Sequence, residues 1–292
     1  MEGRPKVTQA TLLQDLRELG LQSGDTVLVR ADLGELGRVR GGVGAAVMGA
    51  LKDAVGPEGT LVALSFTRTL PLLRLDREYV FRSDTPSTAG ALARLFLEDP
   101  EVRRSRHPTN SFAAIGARAE QVLAGHDETA PSFLPMAQLI ALGGRQLLIG
   151  CGEASPGFTT VHWAQHQLGL ASRSLLRNRF GVRYEKDGQV RVFKRGDFGG
   201  CSMGFGKLYP LYRAQGALRQ GRVGNADSLC VDAAPAYRLE LELLRRDPLA
   251  VLCDNPLCPW CRGSWLYNKR DMPGFYPRYA LYQLRRLLRR GA

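Results

Sequence analysis

A layered α/β/α domain with a mixed central sheet, followed by a small cysteine-containing C-terminal appendage, is the fold class predicted by this 292-residue sequence. Two observations carry the expectation. Between Thr26 and Phe66 an apolar strand, a glycine-rich loop, an amphipathic helix and a second apolar strand follow one another, the unit from which layered α/β domains are built. Helix and strand patterns then keep alternating to Gly150, with no internal repeat and no low-complexity linker. A hydrophobic share of 44% and a charged share of 23% suit a globular chain that buries a sizeable core. No apolar run approaches the roughly 18–20 residues that span a bilayer. Met1 to Lys6 lead straight into an amphipathic segment, without the apolar core of a signal peptide. The expectation is a cytoplasmic protein with no membrane contact, and in that reducing compartment its six cysteines do not form a disulfide framework.

Taken in order, Thr8 caps a helix that runs to Gly20 with Leu12, Leu13, Leu16 and Leu19 as its apolar stripe. Thr26 to Arg30 reads as a strand. The glycine-rich stretch Leu33 to Gly42 opens onto a helix, Val43 to Val55, and Gly56-Pro57-Glu58-Gly59 turns the chain into a strand, Thr60 to Phe66. After an irregular stretch, Thr88 is placed as the cap of a helix through Leu97. Residues 103–108 read as loop, Ser111 to Ile115 as strand, Ala117 to Leu123 and Pro135 to Leu142 as helices, and Gln146 to Gly150 as strand. Thr160 to Leu168 has a helical pattern. Val182 to Tyr184 and Val190 to Phe193 flank Asp187-Gly188, a strong hairpin signal. Helices are placed near Leu208 to Leu218 and Tyr237 to Arg246, with a basic helix from Tyr279 to Arg290. The main domain is therefore 1–247 and the appendage 248–292.

The net charge of +12 invites a nucleic-acid reading, but only six of the 40 basic residues are lysine. Codon composition alone can produce such an arginine bias, and net charge speaks to solubility rather than to a site. Nucleic acid is not the expected partner.

The phrase Gly157 to His166 places His162 in the first turn of a helix that Thr159 can cap. There the macrodipole and the free backbone donors disfavour the imidazolium, which keeps a base neutral near pH 7. His162 and His166 share a helix face, yet no zincin glutamate accompanies them, and a metal pair is set aside. A packed core histidine is the bland alternative.

Several phrases together extend this reading. They are Val39-Arg40-Gly41-Gly42 before a helix, Val55 to Val62, His107-Pro108-Thr109-Asn110-Ser111-Phe112, Thr159 to Gln165, and Gly221 to Asp227. In this order and spacing the chain resembles the aminoglycoside 3-N-acetyltransferase family over roughly residues 8–245. The resemblance implies a ternary-complex transfer from acetyl-CoA, or another acyl-CoA, to a small-molecule amine. It implies that His162 is the base that deprotonates the attacking amine. It also implies that Gly41, Gly42, Ser111 and Phe112 border the acyl-CoA site. Glycines let backbone amides approach phosphate, and a helix N-terminus favours the anion, which agrees with this placing of Gly41 and Gly42.

Two positions depart from the family pattern. Where the family has glutamate three residues after the histidine, this chain has Gln165, which can orient the ring but cannot offset imidazolium charge. In serine proteases the analogous loss of the orienting carboxylate costs about ten-thousandfold in turnover. Glu153 or another carboxylate is a candidate substitute. The family's His-Ser-Ser segment after the first strand reads Arg30-Ala31-Asp32 here, and Asp32 becomes a candidate polar catalytic group. On the acceptor side, Gly199 to Ala226 holds no acid but includes Lys207, Arg213, Arg219 and Arg222, so a neutral or anionic amine is expected rather than a polycationic aminoglycoside.

The tail carries Cys253, Cys258 and Cys261 in a C-x4-C-x2-C run. With a fourth thiolate from Cys230 or Cys201, Cys230 being preferred, these would close a structural zinc site. Free thiols and an iron–sulfur cluster remain the other readings. The expectation for the whole chain is an acyl-CoA-dependent N-acyltransferase, with room for a homodimer. Its alternative is a catalytically impaired relative that binds nucleic acid or an acidic partner through the basic tail.

Overall fold

The computed structural model describes residues 7–152, 157–198, 201–265, 269–270 and 272–290. Its centre is a seven-stranded mixed sheet in the order β10-β11-β7-β1-β2-β6-β5. The strands are β1 (Thr26–Ala31), β2 (Thr60–Leu64), β5 (Arg103–Arg104), β6 (Phe112–Gly116), β7 (Arg145–Ile149), β10 (Leu218–Val223) and β11 (Ala226–Asp232). β1 runs parallel to both β2 and β7, while β6 and β11 pair antiparallel on either flank. The sheet is thus mixed, with its parallel strands in the middle and covered on both faces.

The period-two alternation of β1 divides the two faces. Val27 and Val29 point into a core shared with α1 (Gln9–Glu18), α2 (Val43–Val55) and α3 (Ala91–Glu98), where Leu12, Leu16, Leu51 and Phe96 are buried. Leu28 points the other way, towards Val122 of α4 (Ala119–Leu123) and Met136 and Leu139 of α5 (Leu134–Ala141). α6 (Thr160–Gln167), α7 (Tyr209–Ala214) and α8 (Ala233–Arg246) complete that second layer. The expected three-layer architecture is present.

A smaller sheet stands beside it. β8 (Phe180–Lys186) pairs with β9 (Gln189–Lys194), with β3 (Leu70–Pro71) and with β4 (Val80–Phe81). The tight β8–β9 turn needs two left-handed residues, and Asp187 and Gly188 supply them with φ of 53° and 72°.

Two local expectations change and one hairpin was not read, each for an identifiable reason. Thr88 does not cap α3; its hydroxyl donates to the Phe66 carbonyl, and Gly90 holds the N-cap position. The helix expected over 208–218 is present only as the short α7, entered from a 3-10 segment, Ser202–Leu208, and residue 218 already opens a strand. The β10–β11 hairpin was hidden because β10, Leu-Arg-Gln-Gly-Arg-Val, is a polar edge strand with no apolar alternation.

The stretch 248–265, read as the start of an appendage, shares the core of the main domain. Val251, Leu252 and Trp265 pack in one cluster with Phe158, Phe205 and Leu208, and Trp265 is 0% exposed. Beyond it, α9 (Met272–Arg290) leaves Leu284, Leu287 and Leu288 exposed. Among the described residues no helix is long and apolar enough to cross a membrane.

Gly204 shows how closely the 251–253 strap is applied. A Cβ there would stand 2.2 Å from the Val251 carbonyl oxygen. Gly204→Ala is expected to lower stability by about 1–3 kcal/mol through overpacking, read as a drop in the urea midpoint. An unchanged midpoint would show that the strap steps aside without cost.

Candidate active site

β1 and β7 are adjacent and parallel, so the loops that follow them leave the sheet at the same edge. The first leads to α2 on one face and the second to α6 on the other. α6 begins on a buried polar anchor. The side chain of Gln146, on β7 and 1% exposed, accepts from the backbone N–H of Thr159 at 2.7 Å and of Thr160 at 3.2 Å. Its amide nitrogen donates to Thr160 Oγ1 at 2.8 Å. The Thr160 hydroxyl in turn donates to Glu240 Oε1 on α8 at 2.6 Å, which also accepts from Tyr212 at 2.7 Å. Burial pushes the Glu240 carboxyl up to about 7, against these two hydrogen bonds. Thr159 occupies the N-cap position but makes no side-chain cap, so its expected role passes to Gln146.

His162 therefore projects from a fixed first turn. Its ring stacks on Phe133 at 4.2 Å and meets the edge of Phe205 at 4.7 Å. Nδ1 lies 3.3 Å from Gln165 Oε1. An amide oxygen only accepts, so this contact selects the Nδ1–H tautomer and leaves the lone pair on Nε2. Burial pulls the His162 pKa down to about 3; Gln165 opposes this, while the Arg195 and Arg30 charges add to it. The ring is neutral at physiological pH chiefly because of desolvation, a cause other than the helix dipole expected from the sequence.

The ring lines a cleft of roughly 570 Å³, a size that takes a small ligand. Thr67, Thr109 and Asn110 border it on one side, and Arg195, Phe198 and Trp260 on another. Its charged lining residues are Arg68 and Arg195, and each lies beside an acid, Asp76 at 3.5 Å and Asp197 at 3.8 Å. Asp197 also accepts from Ser132 N–H and hydroxyl at 2.8 and 2.6 Å, which fixes the backbone just before Phe133. His107 shapes the opposite wall by accepting from Asn110 N–H at 3.0 Å.

Of the residues singled out in the sequence, His162 lines this cleft and Gln165, buried behind it, meets its ring. Gly41 and Gly42 are exposed with φ of 83° and 98°, a left-handed conformation that favours glycine, and Gly42 is the N-cap of α2. Asp32 is exposed, caps the 3-10 segment Leu33–Leu36 by accepting from Gly34 N–H at 3.0 Å, and does not line the cleft. Ser111 and Phe112 are 0% exposed and offer no surface to a cofactor. Ser111 donates to the Ser65 carbonyl at 2.6 Å, and Phe112 packs edge-on against Phe66 and Phe133 beneath the cleft. Glu153 lies outside the described residues.

The basic run does not line the cleft either. Lys207 pairs with Asp254, Arg219 with Asp232 and Arg222 with Asp227, and Arg213 donates to Gln220. That run therefore gives no ground against a cationic acceptor, and the charges that do line the cleft are Arg68 and Arg195, each beside an acid. Cys230, preferred as a metal ligand, is buried in the α1–α2 core on the other face of the sheet, whereas Cys201 joins Cys253, Cys258 and Cys261.

Sequence reasoning missed Gln146, Glu240, Arg30 and Arg195. Glu240 had a signal: it falls on the same helical stripe as Ala233, Ala236 and Leu244, where an acid must be buried. Arg30 donates to the Gly157 carbonyl at 2.8 Å and so holds the approach to α6.

The family model described as aminoglycoside 3-N-acetyltransferase matches residues 28–245. The aminoglycoside N(3)-acetyltransferase IX of Micromonospora chalcea is 32% identical over 269 residues, covering 80% of this chain and 92% of that protein. Among solved structures, AAC-IIIb in a binary complex with CoASH superposes with a TM-score of 0.70 at 26% identity, over 83% of this chain and 97% of that one. A histidine-to-alanine mutant of the aminoglycoside acetyltransferase AAC(3)-IVa in complex with a gentamicin gives 0.73 at 26% identity, over 87% and 94%.

Three histidines are held neutral in the folded chain. Burial lowers His162 to about 3, His126 to about 4 and His107 well below the usual range. The unfolded chain binds these protons near pH 6.5, so stability is fully present above that pH and is lost as pH falls from there through the folded values. At pH 5 the cost is expected to be about 1–2 kcal/mol for His126, with His107 adding to it in the same direction. Urea midpoints that fall between pH 7 and 5 would agree; a flat profile over that interval would contradict it.

Proposed function

The chain belongs to the aminoglycoside 3-N-acetyltransferase family and is an acetyltransferase, and from that premise we propose that it transfers the acetyl group of acetyl-CoA to a ring amine of an aminoglycoside in the cleft at His162. The observation that carries this reading is the neutral imidazole of His162, oriented by Gln165 and opening onto a cleft of ligand size. In the proposed step the Nε2 lone pair accepts a proton from the acceptor nitrogen as that nitrogen attacks the thioester carbonyl. The C–N bond forms, the C–S bond breaks, and the proton passes on to the departing thiolate. A neutral ring is the competent form, and its depressed pKa limits its strength as a base.

The relatives' names support an aminoglycoside acceptor; Lys207, Arg213, Arg219 and Arg222 lie away from the cleft, and the arginines that line it, Arg68 and Arg195, each lie beside an acid. Acyl-CoA as the donor is supported by the likeness to the CoA-bound AAC-IIIb. Gly41 and Gly42, with the open backbone donors at the start of α2, are the proposed contacts for its phosphates. Asp32 is retained only as the cap of the segment that leads there.

The direct test is incubation with acetyl-CoA and gentamicin, followed by mass spectrometry. The expected product carries one added acetyl group; absence of product with gentamicin, together with acetylation of a neutral amine, would overturn the acceptor. Gln165→Glu should raise the His162 pKa and increase kcat about tenfold or more, because a carboxylate stabilises the imidazolium of the transition state. An unchanged kcat would show that the orienting amide is sufficient.

A further inference from the structure

Four cysteine sulfurs meet at one point beside the cleft. Cys201 stands immediately before the 3-10 segment Ser202–Leu208, while Cys253, Cys258 and Cys261 come from the strap that follows α8. Their Sγ atoms all lie within 4.8 Å of one another, with Cys201 at 3.4 Å from Cys261 and 3.7 Å from Cys258. A tetrahedral ion with metal–sulfur bonds of about 2.3 Å requires sulfur–sulfur edges of about 3.8 Å. Disulfide sulfurs would be about 2.05 Å apart, and none of the six cysteines is so bonded. A multi-iron cluster would hold its thiolates farther apart than this.

Charge and burial fit the same occupant. Cys253 and Cys258 are 6% exposed and Cys261 0%. Four thiolates around a divalent ion leave a double negative charge, which a buried site must offset. Lys207 donates to the Leu252 carbonyl at 2.8 Å, and the Arg262 guanidinium to the Cys253 carbonyl at 2.8 Å, so two cations flank the cluster, Lys207 sharing its charge with Asp254.

We propose that Cys201, Cys253, Cys258 and Cys261 bind one structural zinc ion that pins the strap to the wall of the His162 cleft. The wall and the cluster are one structure. Cys201, Ser202 and Trp260 line the cleft, Trp260 stacks on Phe198 at 6.1 Å, and Phe205, in the segment that Cys201 opens, meets the His162 ring. All four coordination positions are filled by protein, so the ion takes no part in the chemistry. Its consequence for the acceptor side rests on the acetyl-transfer reading above; the metal site itself does not.

The test is elemental analysis of the full-length chain, expressed with zinc in the medium and purified without a metal-affinity tag. About one zinc per chain is expected, and Cys230→Ser should retain it while Cys261→Ser loses it. Because Cys261→Ser can fail to fold, the wild type is also stripped of metal with a thiol reagent, restored with reductant, and titrated with cobalt. Thiolate-to-cobalt charge-transfer bands and the visible spectrum of a tetrahedral ion, saturating at one equivalent, are expected. Hydrogen exchange should rise over 201–208 and 251–265 on stripping and leave the central sheet protected, and KM for gentamicin should rise severalfold with the acetyl-CoA Kd unchanged. Substoichiometric zinc with no tetrahedral cobalt spectrum would overturn the proposal, as would a Cys201–Cys261 disulfide in folded protein purified under reducing conditions. Full zinc in a protein that acetylates no aminoglycoside would instead sink the acceptor reading and leave the metal site standing.

Discussion

The carboxamide of Gln146 sits at the end of a buried strand where its oxygen takes two backbone N–H groups from the start of α6 and its nitrogen donates to the Thr160 hydroxyl. The first turn of any helix leaves N–H groups without intrahelical partners, and burying them without acceptors costs several kcal/mol. Here the acceptor belongs to the sheet, so the helix that carries His162 is bonded to a buried interior strand of the fold. Glu240 extends the anchor by joining Thr160 to Tyr212, which ties α8 and α7 to the same point. A base on a loop would have no such reference frame, and catalytic geometry tolerates little displacement.

The rest of the site follows from where the chain leaves the sheets. β9 ends at Lys194, so Arg195 and Phe198 arrive at the cleft from the smaller sheet, and Asp197 bonds Ser132 to set the ring of Phe133 over His162. Phe205 closes the other side of the ring from a segment held between Phe158 and the 251–253 strap. Aromatic walls desolvate the imidazole and keep it neutral. They also hold the ring where Gln165 meets Nδ1, and the desolvation leaves it a weak base.

Much of this was legible in the sequence, for physical reasons that also mark where reading stopped. Val43–Val55 is both predicted and observed as a helix because its apolar positions repeat at helical spacing and glycines bound it on both sides. His162 was visible through its place in a first turn and through the family phrases around it. Thr159 misled because a threonine before a helix usually caps it, and only the tertiary fold reveals that Gln146, thirteen residues earlier, does so instead. Ser111 and Phe112 belong to a phrase shared with the family, yet a shared phrase does not tell a floor residue from a contact. Cys230 was preferred over Cys201 from the sequence, but strand pairing buries it opposite Leu147, on the wrong face of the sheet to reach the other three. The basic residues between 199 and 226 looked like one electropositive patch, whereas β-pairing and the strap supply acids to three of the four.

Every element of the site converges on His162, the group proposed to move the proton. Single-turnover transfer of acetyl from preloaded acetyl-CoA, compared between the wild type and His162→Ala, measures that step apart from binding and release. The expected result is a rate at least about a hundredfold lower, the usual scale for losing a general base, with the acetyl-CoA Kd unchanged within twofold. A His162→Ala variant that folds, binds acetyl-CoA and transfers acetyl at the wild-type rate would contradict it.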